Sequence, residues 1–243
     1  MDAEQYRIMY EVEQTHWWYR GIRRNAEALL RRYLAPGRSY DLLDAGCGTG
    51  GTTIFLQRFG VVTGVDFSPD ALSLAKSRGL KRLVRGSVSQ LPFPDQRFDA
   101  LTCFDVLYHR GVADVGVSLQ EFRRVLRPGG IVLLREPAFD WLRGSHDIGI
   151  HTERRLTVGD LQDGMRRAGF QVLAGTYANM VLFPLAIAKR SAERWLHMDF
   201  PADLTVPARP VNLALEGVLA LESMVAKRAS LPIGLSAVAM GRA

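Results

Sequence analysis

The octapeptide DAGCGTGG, residues 44–51, constrains the fold of this chain more than any other stretch. It joins a short buried strand, DLLDA, to a helix, and its alternating glycines permit a turn too tight for residues with side chains. A strand that passes through such a loop into a helix opens a βαβ unit. The pattern then repeats. VVTGVD reads as a second strand and SPDALSLAKSR as a second helix, with Ser68 as its N-cap and Pro69 at its first position. KRLVRGS, FDALTCF and IVLLREP follow as strands, and GVSLQEFRRVLRPGG as a helix stopped by Pro-Gly-Gly. This alternation predicts an α/β fold with a Rossmann-like, doubly wound and mostly parallel sheet, whose ligands sit beyond the carboxyl ends of the strands.

Downstream, TVGDLQDGMRRAGF predicts a helix capped near Thr157 and QVLAGTYANM a sixth strand. GLSAVAMGR predicts a last, antiparallel strand that completes a seven-stranded sheet. Upstream, residues 4–34 carry apolar residues at helical spacing and read as helical throughout. The chain is thus expected to form one domain: an N-terminal helical cap (1–38), a ligand-binding core (39–179), a helical insertion or lid (180–230) and the last strand (231–243).

Bulk properties narrow the function classes. Of the 31 basic residues 27 are arginines, scattered in pairs rather than gathered on one segment with interleaved aromatics, so no nucleic acid is expected as a partner despite the net charge of +6. Two cysteines, Cys47 and Cys103, make neither a disulfide framework nor a metal spacing, which suits a reducing cytoplasm. The acidic, amphipathic N-terminus does not read as a signal peptide, and MVLFPLAIA is too short to span a bilayer. A cytoplasmic location is the expectation.

The glycines spell two fingerprints at once, G-x-G-x-G and the dinucleotide pattern G-x-G-x-x-G. Dinucleotide loops place a pyrophosphate at the helix N-terminus. Asp44, two residues before the first glycine, would repel a pyrophosphate and attract an ammonium or a sulfonium. S-adenosylmethionine carries both cations and no phosphate, so it fits the loop better than NAD. Asp66, at the end of the second strand, suits the ribose hydroxyls that both ligands share and does not discriminate between them.

LLDAGCGTG, GVDFSPDAL, LPFPDQRFDAL and EFRRVLRPGG together resemble the successive motifs of class I S-adenosylmethionine-dependent methyltransferases. The flanks resemble a subgroup of them: YEVEQTHWWYRGIRR is similar to an N-terminal E-x-x-H-W-W-Y type motif, and PAFDWLRGSHD, RRLT and LQDGMRRAGF are similar to its later segments. The resemblance implies Asp44 near the amino group of the cofactor, the backbone of Gly46, Cys47 and Gly48 along its methionine, and Asp66 on its ribose. It further implies Phe67 against the adenine, with Phe104 and Asp105 completing the wall. Where relatives carry an acid for the adenine amino group this chain has Ser87, so adenine recognition is expected to lean on the Val88 amide. From the N-terminal motif, Trp17 and Trp18 are candidates to cap the cofactor, with Tyr19 beside them, and Arg20 or Arg23 to meet its carboxylate.

Methyl transfer needs alignment of nucleophile and methyl, and for some acceptors a base. His109, after the fourth strand, and His146 and His151 in the HDIGIH loop are the candidate acid–base residues. No third ligand accompanies the histidine pair at a convincing spacing, so no metal is expected. The expected function is methylation, at oxygen, of a small-molecule or lipid- or sugar-linked acceptor. The alternative is a protein that binds S-adenosylmethionine for another reaction or for sensing. The insertion leaves peripheral membrane contact open, because it sets apolar stretches beside Lys189, Arg190 and Arg194.

Overall fold

Successive residues of β1 (Tyr40–Ala45) feed opposite sides of a sheet that is covered on both. Leu42 belongs to the core layer that holds Leu29, Leu30, Phe55 and Leu56, whereas Leu43 belongs to the opposite layer with Leu119, Phe122, Leu161 and Met165. A strand buried on both faces has no polar side to show, which is why successive residues Leu42 and Leu43 are both apolar. The computed structural model behind this description covers residues 2–144, 152–196, 206–226 and 228–243.

The other strands are β2 (Gly60–Asp66), β3 (Leu83–Arg85), β4 (Phe98–Phe104), β5 (Leu126–Pro137), β6 (Gln171–Ala178) and β7 (Ser236–Arg242). They form one seven-stranded sheet in the order β3-β2-β1-β4-β5-β7-β6. The first five strands are parallel, and β7 runs antiparallel to both β5 and β6. This is the Rossmann-like, mostly parallel architecture expected from the alternating pattern. The chain winds outward from β1 to β3 and then returns to place β4 on the other side of β1. That reversal opens a crevice at the carboxyl ends of β1 and β4, the place where such sheets bind ligands.

The helices are α1 (Ala3–Val12), α2 (Trp17–Leu30), α3 (Gly51–Leu56), α4 (Pro69–Ser77), α5 (Val115–Val125), α6 (Val158–Arg167), α7 (Phe183–Leu196) and α8 (Arg209–Ala226). Two caps read from sequence are borne out. Ser68 accepts from the Ala71 amide, and Thr157 forms a reciprocal capping box with Asp160. The helical N-terminal segment is two helices, because His16 leaves the helical region and caps α2 by accepting from the Trp18 amide at 3.2 Å. One expectation needs correction. The Pro-Gly-Gly segment does not end a helix: α5 closes at Val125, and Leu126 already pairs with Phe98 across an irregular start of β5. Among the described residues no helix is long and apolar enough to cross a membrane.

Candidate cofactor-binding and active site

The loop after β1 folds back on its neighbour strand. The amides of Gly46 and Cys47 both donate to the Val65 carbonyl, at 2.8 and 3.0 Å. Gly46 (φ +78°) has no room for a side chain, since a Cβ would lie 2.2 Å from Val106. Asp66 then clasps the loop from β2. One of its oxygens accepts the Gly48 amide at 2.8 Å and the other the Ser68 amide at 2.9 Å. The Phe67 amide also points at this carboxylate, and because a carboxylate offers about four lone-pair directions, capacity remains for a ligand hydroxyl. Burial raises the Asp66 pKa against the pull of those amides.

Asp44 is buried deeper. Its two oxygens accept the hydroxyls of Thr53 (2.7 Å) and Thr102 (2.9 Å), from α3 and β4. Burial lifts its pKa from 3.8 to about 6. A carboxyl that titrates higher folded than unfolded adds stability below the ordinary aspartate range and loses that contribution as pH rises through about 6. The same titration governs any cation held at the loop, with the opposite sign, because only the ionised form attracts it. S-adenosylmethionine affinity is therefore expected to fall between pH 7.5 and 5, a dependence absent for neutral adenosine and removed by Asp44→Asn. Calorimetry at the two pH values checks this; parallel losses for both ligands would make Asp44 a shaper of the loop alone.

Phe67 follows Asp66 and is 71% exposed, its ring 5.8 Å from the Arg85 guanidinium. Gly86 donates to the Asp66 carbonyl, which sets Ser87 and the buried Val88 beside the β2 end. The Ser87 hydroxyl accepts the Ser89 amide at 3.2 Å. A half-buried acid with spare lone pairs, an exposed aromatic next to it, and an apolar wall at Val88 fit an adenosine-bearing ligand.

The N-terminal helices close over this loop. A Cβ on Gly48 would meet the Met9 methyl at 3.0 Å, and Tyr6 lies against Ser68 and Asp66, its hydroxyl pKa pushed up to about 12 by burial first and Asp66 second. Glu13 is the joint. Its carboxylate accepts the Thr49 hydroxyl of the glycine loop and pairs with Arg78, just after α4, at 2.8 Å. Arg78 also donates to the carbonyls of Thr49 and Tyr10. Tyr19 faces the strand ends, between Glu13, Asp105 and Arg135, and Trp18 packs under the Arg135 guanidinium at 5.3 Å. The other candidates of this motif make contacts outside the glycine loop. Trp17 donates its amide to Asn212, Arg20 pairs with Glu216 at 3.0 Å, and Arg23 donates to the Glu13 carbonyl. None of these three contacts belongs to the glycine loop.

At the carboxyl end of β4, Phe104 packs on the β1 side and Asp105 (φ +57°) pairs with Arg135, which also donates to Ser236 at 2.7 Å. Glu136 is fully buried and accepts three consecutive amides, those of Val106, Leu107 and Tyr108, at 2.9–3.2 Å. Burial and the neighbouring Asp105 raise its pKa to about 8. This clamp holds the turn that presents His109. His109 Nδ1 accepts the Gly111 amide at 3.0 Å, and its backbone bridges to Thr152, whose hydroxyl is buried without a hydrogen-bond partner. His146 and His151 lie outside the described residues. Among the described residues no group of three or more potential ligands is placed to hold a metal ion.

The sequence pattern did not single out Arg78, Arg135 or Glu136, and it contained Glu13, the acid of the E-x-x-H-W-W-Y motif, without giving it a role. Arg135 and Glu136 sit in a strand where apolar neighbours dominate, and only the strand's end position hinted at a site.

Comparison with known proteins matches residues 43–134, the glycine loop through β5, to the family described as Methyltransferase domain. A demethylmenaquinone methyltransferase of Staphylococcus aureus is 42% identical over 102 residues, covering 39% of this chain and 42% of the relative. The chain thus spans about two fifths of the length of the curated relatives it matches. Likeness in fold extends much further. A solved complex between the Haloferax volcanii Trm112 methyltransferase activator and a methyltransferase contains a chain with TM-score 0.62 and 20% identity, over 99% of this chain and 93% of that one. An S-adenosylmethionine-dependent methyltransferase of Thermotoga maritima gives TM-score 0.59 and 17% identity over 98% and 95%. In the sequence of its core and in the fold of nearly all of it, the chain is similar to S-adenosylmethionine-dependent methyltransferases.

Proposed function

We propose that the chain is an S-adenosylmethionine-dependent methyltransferase acting at oxygen on a small-molecule or lipid- or sugar-linked acceptor. The observation that carries this reading is the acid pair around the glycine loop, Asp44 and Asp66, inside the stretch that matches a methyltransferase domain. Asp66 would hold the ribose with its spare lone pairs, and Phe67 and Val88 would enclose the adenine. Asp44 contributes a negative field at the loop from a buried position, where it is little screened. S-adenosylmethionine supplies a methyl group already activated by a sulfonium charge. The chain's own task is then alignment, exclusion of water by Tyr19 and Trp18, and removal of the acceptor's proton.

For that proton His109 is the described candidate. A hydroxyl acceptor needs such a base more than a neutral amine does, which favours the oxygen reading. The relative from Staphylococcus aureus acts, by its name, on a quinone precursor, and it supports an acceptor of low polarity. Incubation with methyl-labelled S-adenosylmethionine and separated polar and lipid fractions of the host tests the proposal. Label in an alkali-stable, hydroxyl-derived product is the expected result. Binding of the cofactor with no label transferred to any fraction would favour the sensing or non-transfer alternative.

Cofactor binding has its own check. Asp66→Ala is expected to weaken S-adenosylmethionine by about 1.5–3 kcal/mol, the scale of hydrogen bonds to a charged group. Equal affinity of mutant and wild type by calorimetry would put the ribose elsewhere.

A further inference from the structure

Helix α8 carries an exposed apolar face opposite a buried, largely polar one. Its polar residues are buried: Asn212 bonds the Trp17 amide and the Thr15 carbonyl, Glu216 pairs with Arg20 and Arg24, and Glu222 accepts the amides of Asn179 and Val181. Leu219 and Ala226 are buried beside them, but most of its large apolar side chains point outward. Leu213, Leu221, Met224 and Val225 are 52–65% exposed, and their spacing puts them on one face. Between Pro210 and Ala226 the only charges are the two buried glutamates, so this face carries none. Exposed arginines bracket it, Arg209 at the start and Arg228 just past the end. Val181, tied to α8 through Glu222, adds another exposed apolar side chain. A helix of a monomer in water has no reason to bury its acids and expose its leucines, and apolar patches of this kind mark contact surfaces.

We infer that the outer face of α8 rests on an anionic lipid bilayer. The charge pattern selects this occupant. Apolar side chains enter the acyl boundary while flanking arginines meet lipid phosphates, the arrangement of an in-plane interfacial helix. A second copy of the chain fits less well. Two-fold packing of α8 on itself opposes Arg209 to Arg228, or each to its own counterpart, and both leave like charges face to face. The inference does not depend on the methyltransferase reading, because the face is read out without cofactor or acceptor.

The test is sedimentation of the full chain with vesicles of phosphatidylcholine alone or mixed with phosphatidylglycerol, at low and high salt. Binding to the anionic vesicles is expected, tenfold or more above neutral ones and weakened by salt. Leu221→Glu with Met224→Glu should reduce it at least tenfold without changing the thermal midpoint, since both side chains point away from the fold. Arg209→Glu with Arg228→Glu should cost about fivefold or more per site and flatten the salt dependence. Absence of sedimentation with either vesicle overturns the inference. So does binding unaffected by the Leu221 and Met224 changes. A concentration-dependent dimer that those changes abolish, in place of vesicle binding, would assign the face to a second copy and overturn it equally.

Discussion

Glu13→Ala is expected to lower folding stability by about 3–5 kcal/mol, the scale for removing one partner of a buried ion pair. The side chain is 5% exposed, and four parts of the chain meet on this residue. Its carboxylate takes the Thr49 hydroxyl from the glycine loop and the Arg78 guanidinium from beyond α4. Its backbone carbonyl takes Arg23 from α2, and α1 ends one residue before it. Alanine would strand the buried guanidinium of Arg78, leaving only the carbonyls of Thr49 and Tyr10 to solvate it. Glu13→Gln keeps an acceptor for Thr49 and is expected to lose less than alanine does. Urea titration of both variants measures the difference, and a loss under 1 kcal/mol in the alanine variant would mean that the pair is not what holds the N-terminal helices down. Loosening these helices should also raise the exchange rate of the Gly48 amide, because Met9 and Tyr6 no longer cover the loop.

Glu13 stands in the sequence as the acid of the E-x-x-H-W-W-Y motif, but its role as a joint was not legible, for a physical reason. An acid at the end of an amphipathic helix is normally solvated, and nothing local marks Glu13 as buried; its partner Arg78 lies 65 positions away. The parallel core was legible because its signals are local: the glycine turn, the Ser68-Pro69 cap and apolar runs of strand length. The break at His16 was not, since HWWYRGIRR continues the helical spacing of the residues before it and histidine is an uncommon N-cap. Helix α8 gives the sharpest case. The spacing told which of its residues share a face, and the usual rule then sends the apolar face inward. Here Asn212, Glu216 and Glu222 find partners on α2 and after β6, so the polar face goes inward instead. Periodicity fixes a face and leaves its direction to partners that are distant in the chain.

The candidate site divides along the same line. Asp66 and the glycine loop were readable because the chemistry needs them next to one another in a strand-turn-helix. Asp44 was readable as an acid near the loop. Its pair of threonine partners was not, and those partners turn it from an exposed contact into a buried source of field. Arg20 could be suggested for a carboxylate of the cofactor only while Glu216, 196 residues later, stayed out of view.

His109→Ala is expected to leave S-adenosylmethionine affinity unchanged while turnover falls about 10²–10⁴-fold, the range of a general base. The geometry makes this prediction sharper than position alone. Nδ1 accepts the Gly111 amide, so in the neutral ring the proton sits on Nε2, and the ring as placed is a donor. To accept a proton from the acceptor, the ring must release Gly111 and offer Nδ1, keeping its Nε2 proton and becoming an imidazolium. Glu136 holds the backbone of this turn through three amides, so the ring can rearrange without the turn moving. Gly111→Pro removes the competing amide and is expected to keep or raise the rate, where His109→Ala lowers it. Single-turnover transfer of labelled methyl at saturating cofactor, with calorimetry in parallel, separates rate from binding. A rate near wild type in His109→Ala would leave catalysis to alignment, or to His146 and His151, whose alanine variants then become the decisive pair.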